Sequence, residues 1–399
     1  MKTIILICVI SLTFVLYNCQ KSEVSSSRSI SITENVSTAT NNFTYKLWQE
    51  IENTEPASAN YMVSPLSLHI ALGMLLNGAN TDTKTEIQKT LGLDNMSMEA
   101  INSAYKELIT GLPMVDPNVT NTIANAIFQD KNFNSEKDFQ NTLSTSFSAK
   151  LFSEDFSDPA TVGKINNWAS DNTNKKITKI IEQITPQQVM FLLNALYFKG
   201  DWTTAFKVAN TRKEEFAGVN SKSNVDMMYQ TENLAYKDTP ESQIIELPYG
   251  NQKYAMYVVL PKKQINNSFS ALSKSDWMQV RDGLIKQKVI FGMPKFKITY
   301  AKKLNQVLDK MGIKKAFTNQ ADLSKISPPA GKLIVGLVKQ DTYIAVDEKG
   351  TEAAAVTSIA IETTSLPVYP EMVCNKPFLF MVAERSSNAV LFVGKVAQF

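Results

Sequence analysis

Apolar residues recur at helical spacing at Phe43, Leu47 and Ile51, and again at Leu66, Ile70 and Met74 with Leu72 and Leu76 flanking. The spacing predicts two helices, the second stopping at Gly78. Shorter helices are expected over 84–91 and 99–110. From about residue 190 the period changes, and strands are predicted over 189–198, 244–247, 254–260, 288–293 and 296–300. Residues 304–316 return to helix. Near the end, the apolar runs 378–382 and 389–393 flank a polar Arg385-Ser386-Ser387-Asn388 turn, which reads as a hairpin. Helices first and strands later, without βαβ alternation, predict an α+β domain.

The cleanest strand pattern lies at 347–366, DEKGTEAAAVTSIAIETTSL. Thr351, Ala353, Ala355, Thr357, Ile359 and Ile361 alternate with Glu352, Ala354, Val356, Ser358, Ala360 and Glu362. The first set is small or apolar and the second is mixed, the period of a half-buried strand. No Pro interrupts 351–366, and Gly350 stands at the entrance. By itself the segment fits an edge strand. A pattern this clean near the C-terminal end of a large domain needs a sheet to enter.

The 399 residues can bury a large core as one domain or two. With 41 basic and 38 acidic residues, the net charge of +3 gives no reason to expect nucleic acid as a partner. At the N-terminus, Lys2 precedes an apolar run over 4–16, too short to span a bilayer but suited to an export signal. Leu16-Tyr17-Asn18-Cys19 resembles a bacterial lipobox, although Asn18 departs from the usual small residue; a plain signal peptide cut nearby is the alternative. The expected organisation is a signal over 1–18, a lipidated polar tether over 19–38 beginning at Cys19, and one domain over 39–399. Such a chain would be exported and lipid-anchored to the cell envelope, or else periplasmic or extracellular. With Cys8 removed and Cys19 lipidated, Cys374 alone remains, so no intrachain disulfide is expected.

The chemistry of an enzyme is missing from the sequence. His69 is the one histidine, embedded in the apolar helix, so Ser-His or Cys-His catalysis has a single unsupported candidate. No Walker loop, dinucleotide turn or zinc-protease motif occurs, and neither a cofactor nor a metal is expected.

Several separate stretches resemble the serpin family, in that family's order, and span about 40–399. They are Asn60 through Ser64-Pro65-Leu66-Ser67 to Thr83, Asn194 through Gly200-Asp201-Trp202 to Phe216, Glu246-Leu247-Pro248-Tyr249, Met293-Pro294-Lys295-Phe296, Leu304 to Ile313 with Ala321-Asp322, and Asn375-Lys376-Pro377-Phe378. Most specific is Glu348-Lys349-Gly350-Thr351-Glu352-Ala353-Ala354-Ala355. The resemblance implies one α+β domain of three β-sheets and about nine helices, with an exposed reactive loop over about 348–370. It implies no enzyme, but a monomeric suicide-substrate inhibitor of serine proteases, with cysteine proteases a further target class. After cleavage, the loop inserts into the central sheet while the protease is held as a covalent acyl-enzyme. A non-inhibitory binding protein or chaperone on the same fold is the alternative; such relatives tend to carry charged, bulky or Pro residues where Ala353, Ala354 and Ala355 stand.

Matched to the family, Ser64, Pro65, Ser67 and Asn194 fall where the sheet opens and recloses, and Trp202 where the loop first enters. Lys295 and Glu348 align with a pair that bridges the top of the sheet in some relatives. Gln340 replaces a histidine common near the opening, and Phe399 stands where many relatives carry Pro. Counting from Gly350 by family spacing puts the reactive bond at Thr364-Ser365. Counting back from Pro377 gives Leu366-Pro367, and Thr363-Thr364 and Glu362-Thr363 also stay open. No Lys or Arg occurs over 350–373, which points to elastase-like or subtilisin-like rather than trypsin-like targets.

Overall fold

The computed structural model describes residues 29–263, 282–328, 333–351 and 369–399. Helix α1 (Glu34–Thr54) buries Phe43, Leu47 and Ile51 as their spacing requires, together with Val36 and Trp48. Ile30 is also buried. The tether expected over 19–38 therefore ends earlier than its predicted boundary, because packing onto the core has begun by Ile30. After β1 (Tyr61–Val63) comes α2 (Pro65–Gly78), whose N-terminus is set by Ser64: its Oγ accepts from the Ser67 backbone N–H, and Pro65 occupies the first helical position. Helix α2 is buried on nearly every side because it packs against the strands at 190–201 and 390–396, which belong to two different sheets.

Helices α3 (Thr81–Thr90) and α4 (Met98–Gly111) follow close to their expected places. Four elements interrupt the expected order of helices then strands: β2 (Val119–Asp130), α5 (Lys137–Phe147), β3 (Ala149–Glu154) and α6 (Ala160–Asn172). Strand β2 hides from a hydrophobic pattern because amides fill some of its buried positions. Asn121 donates to the Tyr254 hydroxyl, and Asn125 to the Phe147 carbonyl.

The later strands are β4 (Met190–Asp201), β5 (Arg212–Ala217), β6 (Lys222–Asp238), β7 (Ser242–Tyr249), β8 (Tyr254–Pro261), β9 (Ile285–Pro294) and β10 (Phe296–Lys303). Helix α7 (Asn305–Met311) is shorter than the 304–316 expected. Gly312 ends it at φ 118°, a conformation that favours glycine, and one 3₁₀ turn follows at Lys315–Phe317. The chain closes with β11 (Lys339–Val346), β12 (Gly350–Thr351), β13 (Glu371–Val373) and the hairpin β14 (Phe378–Glu384) and β15 (Val390–Val396).

Two sheets result. One runs β1-β15-β14-β8-β7-β6-β9-β13, with β5 on β6; the other runs β10-β11-β12-β4-β2-β3. The fold is α+β, as expected, with seven α-helices among the described residues rather than about nine. The sheet count falls from three to two because β6 joins what would be separate sheets. It pairs with β7 near its C-terminus and with β9 along most of its length.

His69 lies inside α2, with Nδ1 2.9 Å from the Tyr105 hydroxyl and Nε2 3.2 Å from the Leu91 carbonyl oxygen. Burial lowers its pKa to about 4, so it is a neutral core group at physiological pH.

Candidate functional site

Strand β4 is paired along its whole length on one edge, from Gly200 opposite Val119 to Met190 opposite Gln129 in β2. On its other edge, among the described residues, only Gly200 and Asp201 have partners, Thr351 and Gly350 of β12. Strand β11 is likewise paired along eight residues to β10 but shares only Val346 with β12. Both strands run antiparallel to β12, so they are parallel to each other. Below the single rung of β12 they face one another unpaired. The cavity there is about 770 Å³, floored by Leu68, Ala71, Leu72 and Leu75 of α2.

The rung is tightly seated. A Cβ on Gly350 would lie 2.1 Å from the Gly200 carbonyl oxygen and 2.7 Å from Asp201 Cα, so only glycine passes between these strands. Thr351 is buried, and its Oγ1 lies 2.7 Å from the Tyr249 hydroxyl. Trp202 stacks on Tyr249 at 4.4 Å and grips the preceding turn. Its backbone N–H donates to the Lys349 carbonyl at 2.6 Å, and its indole Nε1 to the Asp347 carbonyl at 3.0 Å. Asp347 Oδ1 in turn accepts the Lys349 and Gly350 backbone N–H groups.

Above the rung, Lys295 Nζ lies 2.9 Å from Glu348 Oε2, and Thr211 donates to Glu348 Oε1 at 2.8 Å. Burial pushes the Glu348 carboxyl up, but Lys295, the local backbone N–H and Thr211 outweigh it and hold the pKa below its usual value. The start of β5 and the β9–β10 junction are thereby clipped to the turn before the hinge.

Lower down, at the mouth of α2, Gln340 forms a two-point contact with Ser64. Its Oε1 accepts from the Ser64 N–H and its Nε2 donates to the Ser64 carbonyl, each at 2.8 Å. The amide thus holds β11 to the start of α2 without a titrating group. Ser64 Oγ also donates to the Leu391 carbonyl, tying the same point to β15. Across the gap, Asn194 Nδ2 donates to Asn125 Oδ1, while Asn194 Oδ1 is buried without a partner.

The residues expected from sequence form two groups: Trp202, Lys295, Glu348, Gly350 and Thr351 at the top, and Ser64, Pro65, Ser67 and Asn194 at the middle of the gap. Glu352, Ala353, Ala354, Ala355, Glu362, Thr363, Thr364, Ser365 and Leu366 lie outside the described residues, as does Cys19. Tyr249, Thr211 and Asp347 hold the hinge but were assigned no role from sequence, although Tyr249 closes one of the family-like motifs.

The sequence model described as Serpin (serine protease inhibitor) matches residues 38–399. This chain belongs to the serpin family. It is 32% identical to human Serpin B11 over 391 residues, covering 91% of this chain and 99% of that protein. Its fold superposes on the native state of the thermophilic serpin tengpin with a TM-score of 0.84 at 32% identity, covering 94% of this chain and 96% of that one. Human thyroxine-binding globulin, in complex with thyroxine, superposes at 0.82 with 29% identity, covering 91% and 98% of the two chains. Among the described residues no group of three or more His, Cys, Asp or Glu side chains could hold a metal.

Proposed function

We propose that this serpin is a suicide-substrate inhibitor of serine proteases that traps the acyl-enzyme by inserting its cleaved loop between β4 and β11. The observation that carries this reading is the seated rung of β12, the first step of a strand that has both neighbours waiting. Extended one residue at a time, the same antiparallel register sets Glu352 opposite Lys199 and brings Ile361 opposite Met190. On the other side, the register runs from Val346 down to Lys339. Thr351 faces the core, so Ala353, Ala355, Thr357, Ile359 and Ile361 would follow it inward over α2, and Glu352 would face out beside the exposed Lys199. The apolar set of the sequence pattern is thus the set that would be buried.

Thr357 would arrive between Asn194 and Gln340, where its hydroxyl can donate to the unpartnered Asn194 Oδ1. Two ladders of backbone hydrogen bonds, at about 1 kcal/mol net each, then favour the inserted state by roughly 10–20 kcal/mol. Insertion to Thr364 would carry the acylated protease about 45 Å at the rise of a β-strand. Strain transmitted to its catalytic groups would slow deacylation, because small displacements there cost large factors in rate. The intact protein is accordingly held kinetically.

The reactive bond proposed is Thr364-Ser365, with elastase-like or subtilisin-like targets suited to a small β-branched residue. Incubation with an elastase should give an SDS-stable complex, and sequencing the released C-terminal peptide should begin at Ser365. A complex with a trypsin-like enzyme and none with an elastase would reject that target class. A thermal midpoint unchanged by nicking the loop would instead favour a binding protein, the role that thyroxine-binding globulin is named for. The same proposal places the chain on the cell envelope through a lipid at Cys19; metabolic labelling with palmitate should disappear in Cys19→Ser.

A further inference from the structure

We infer that this serpin carries a binding site for a small zwitterion, of free amino-acid or dipeptide size, in the fork where β6 leaves β7. The two strands pair from Ala235 opposite Glu246 to Asp238 opposite Gln243. Toward the other end β6 keeps β9 and gains β5 as partners, while β7 leaves it and continues on β8 to Tyr249, which is bridged to Trp202. The diverging strands enclose a cavity of about 330 Å³, closed across by Trp202, Thr203 and Arg385. That volume suits a molecule of one or two residues and is too small for a folded partner.

The lining is polar and incompletely satisfied. Gln230 is 7% exposed, and its Oε1 has no hydrogen-bond partner. A buried amide oxygen without a donor calls for one, and an ammonium or amide N–H of a ligand supplies it. Arg385, also in the lining, is held in place: Nη2 lies 2.9 Å from Glu246 Oε1, and Nη1 donates to the Gln252 carbonyl at 2.8 Å. Two of its five N–H donors are so engaged, leaving a preorganised fork able to face a carboxylate. Glu232 and Lys286, also in the lining, add one charge of each sign. An acceptor and a held guanidinium in one lining match a molecule with a donor at one end and a carboxylate at the other. A purely anionic or purely cationic ligand would leave one of the two unsatisfied.

The site also adjoins the hinge. Trp202 lines this cavity and grips the 347–349 turn, and Thr203 N–H donates to the Pro248 carbonyl at 2.8 Å. A ligand in the fork therefore braces the residues that seat Gly350 and Thr351. Binding itself does not depend on loop insertion, so it stands or falls separately from the inhibitory reading.

Isothermal titration of the intact protein with glycine, leucine and glycyl-leucine, and with propylamine and propionate as half-ligands, tests the inference. At least one zwitterion should bind at least tenfold more tightly than either half-ligand. Gln230→Met should weaken it tenfold or more, and Gln230→Glu should retain it. Should Gln230→Met not fold, the surface variants Lys286→Met and Glu232→Gln read the same site, each weakening binding severalfold. Absence of zwitterion binding at 10 mM would overturn the inference, as would half-ligands binding equally well, or affinity indifferent to all of these substitutions.

Discussion

The sheet around β14 and β15 and the sheet around β4 and β11 contain the same kind of strand treated in opposite ways. Strand β15 lies between β1 and β14, and β14 between β15 and β8, so both are paired on each edge. Even the charge buried there is matched: Lys395 and Glu52 are 1% and 2% exposed and lie 2.7 Å apart. Tyr61 donates to the other Glu52 oxygen, and Trp48 to the Tyr61 hydroxyl at 2.7 Å. In the other sheet, two facing strands keep an edge open among the described residues, and a cavity separates them. On the proposed mechanism, the closed half is the frame against which the open half changes.

Several experiments would break or sharpen this contrast. Thr351→Arg should have the largest effect. A guanidinium at a site 3% exposed has no partner, and burying an unpaired charge costs several kcal/mol, so trapping of protease should fall about 100-fold or more. Gel analysis should then show cleaved inhibitor and free enzyme; undiminished complex would mean that the rung does not lead insertion.

Lys395→Met should lower the denaturant-measured stability by about 3–5 kcal/mol, because Glu52 is left charged and buried. Combining it with Glu52→Gln should recover most of that loss. Recovery that failed would show the cluster holding the frame by more than charge matching.

Acid should reach the helix between the two sheets next. His69 in the folded state has a pKa of about 4, below its ordinary 6.5, so the unfolded chain binds the proton first as pH falls. Stability is full above pH 6.5 and declines by about 3 kcal/mol on approaching pH 4. His69→Gln should flatten that part of the stability profile, measured by urea unfolding.

A smaller effect is expected from Thr357→Val. It should leave the intact protein unchanged and reduce the stability of the cleaved form by about 1–3 kcal/mol, the cost of a buried acceptor left without its donor. Smallest is Lys295→Gln. Lys295 is 40% exposed on its side chain, and the exchange should cost less than about 1 kcal/mol by thermal melting. Because Glu348 titrates below its ordinary 4.5, this contribution is present at neutral pH and fades as pH falls below about 4.5.

Much of the hinge was legible because its constraints are local. Gly350 must pass between two backbones, and the alternation from Thr351 onward records which side chains can turn inward. Trp202, Lys295 and Glu348 were recognisable through family motifs, although the contacts that join them cross more than fifty residues of sequence. The gap itself was not legible. It depends on β4 and β11 failing to pair, and a missing contact leaves no periodicity. Strand β11 escaped notice partly because Gln340 and Thr342 fill inward positions with polar groups that bond to Ser64 and Met62. Asn121 and Asn125 concealed β2 in the same manner. The early start of packing at Ile30 escaped for the opposite reason: one buried isoleucine among serines makes no pattern.

The placement of Gly350 and Thr351 also bears on timing. Ordering the first rung of a new strand is the step that meets the entropy of closing a loop before any ladder rewards it. On the proposed mechanism that rung is formed before any protease arrives, so nucleation precedes cleavage and only propagation remains. Alignment is fixed at the same moment. A slip of one residue would turn the inward set outward, and the glycine seated against Gly200 removes that choice. On that mechanism, the contest with deacylation begins with the strand already started and correctly phased.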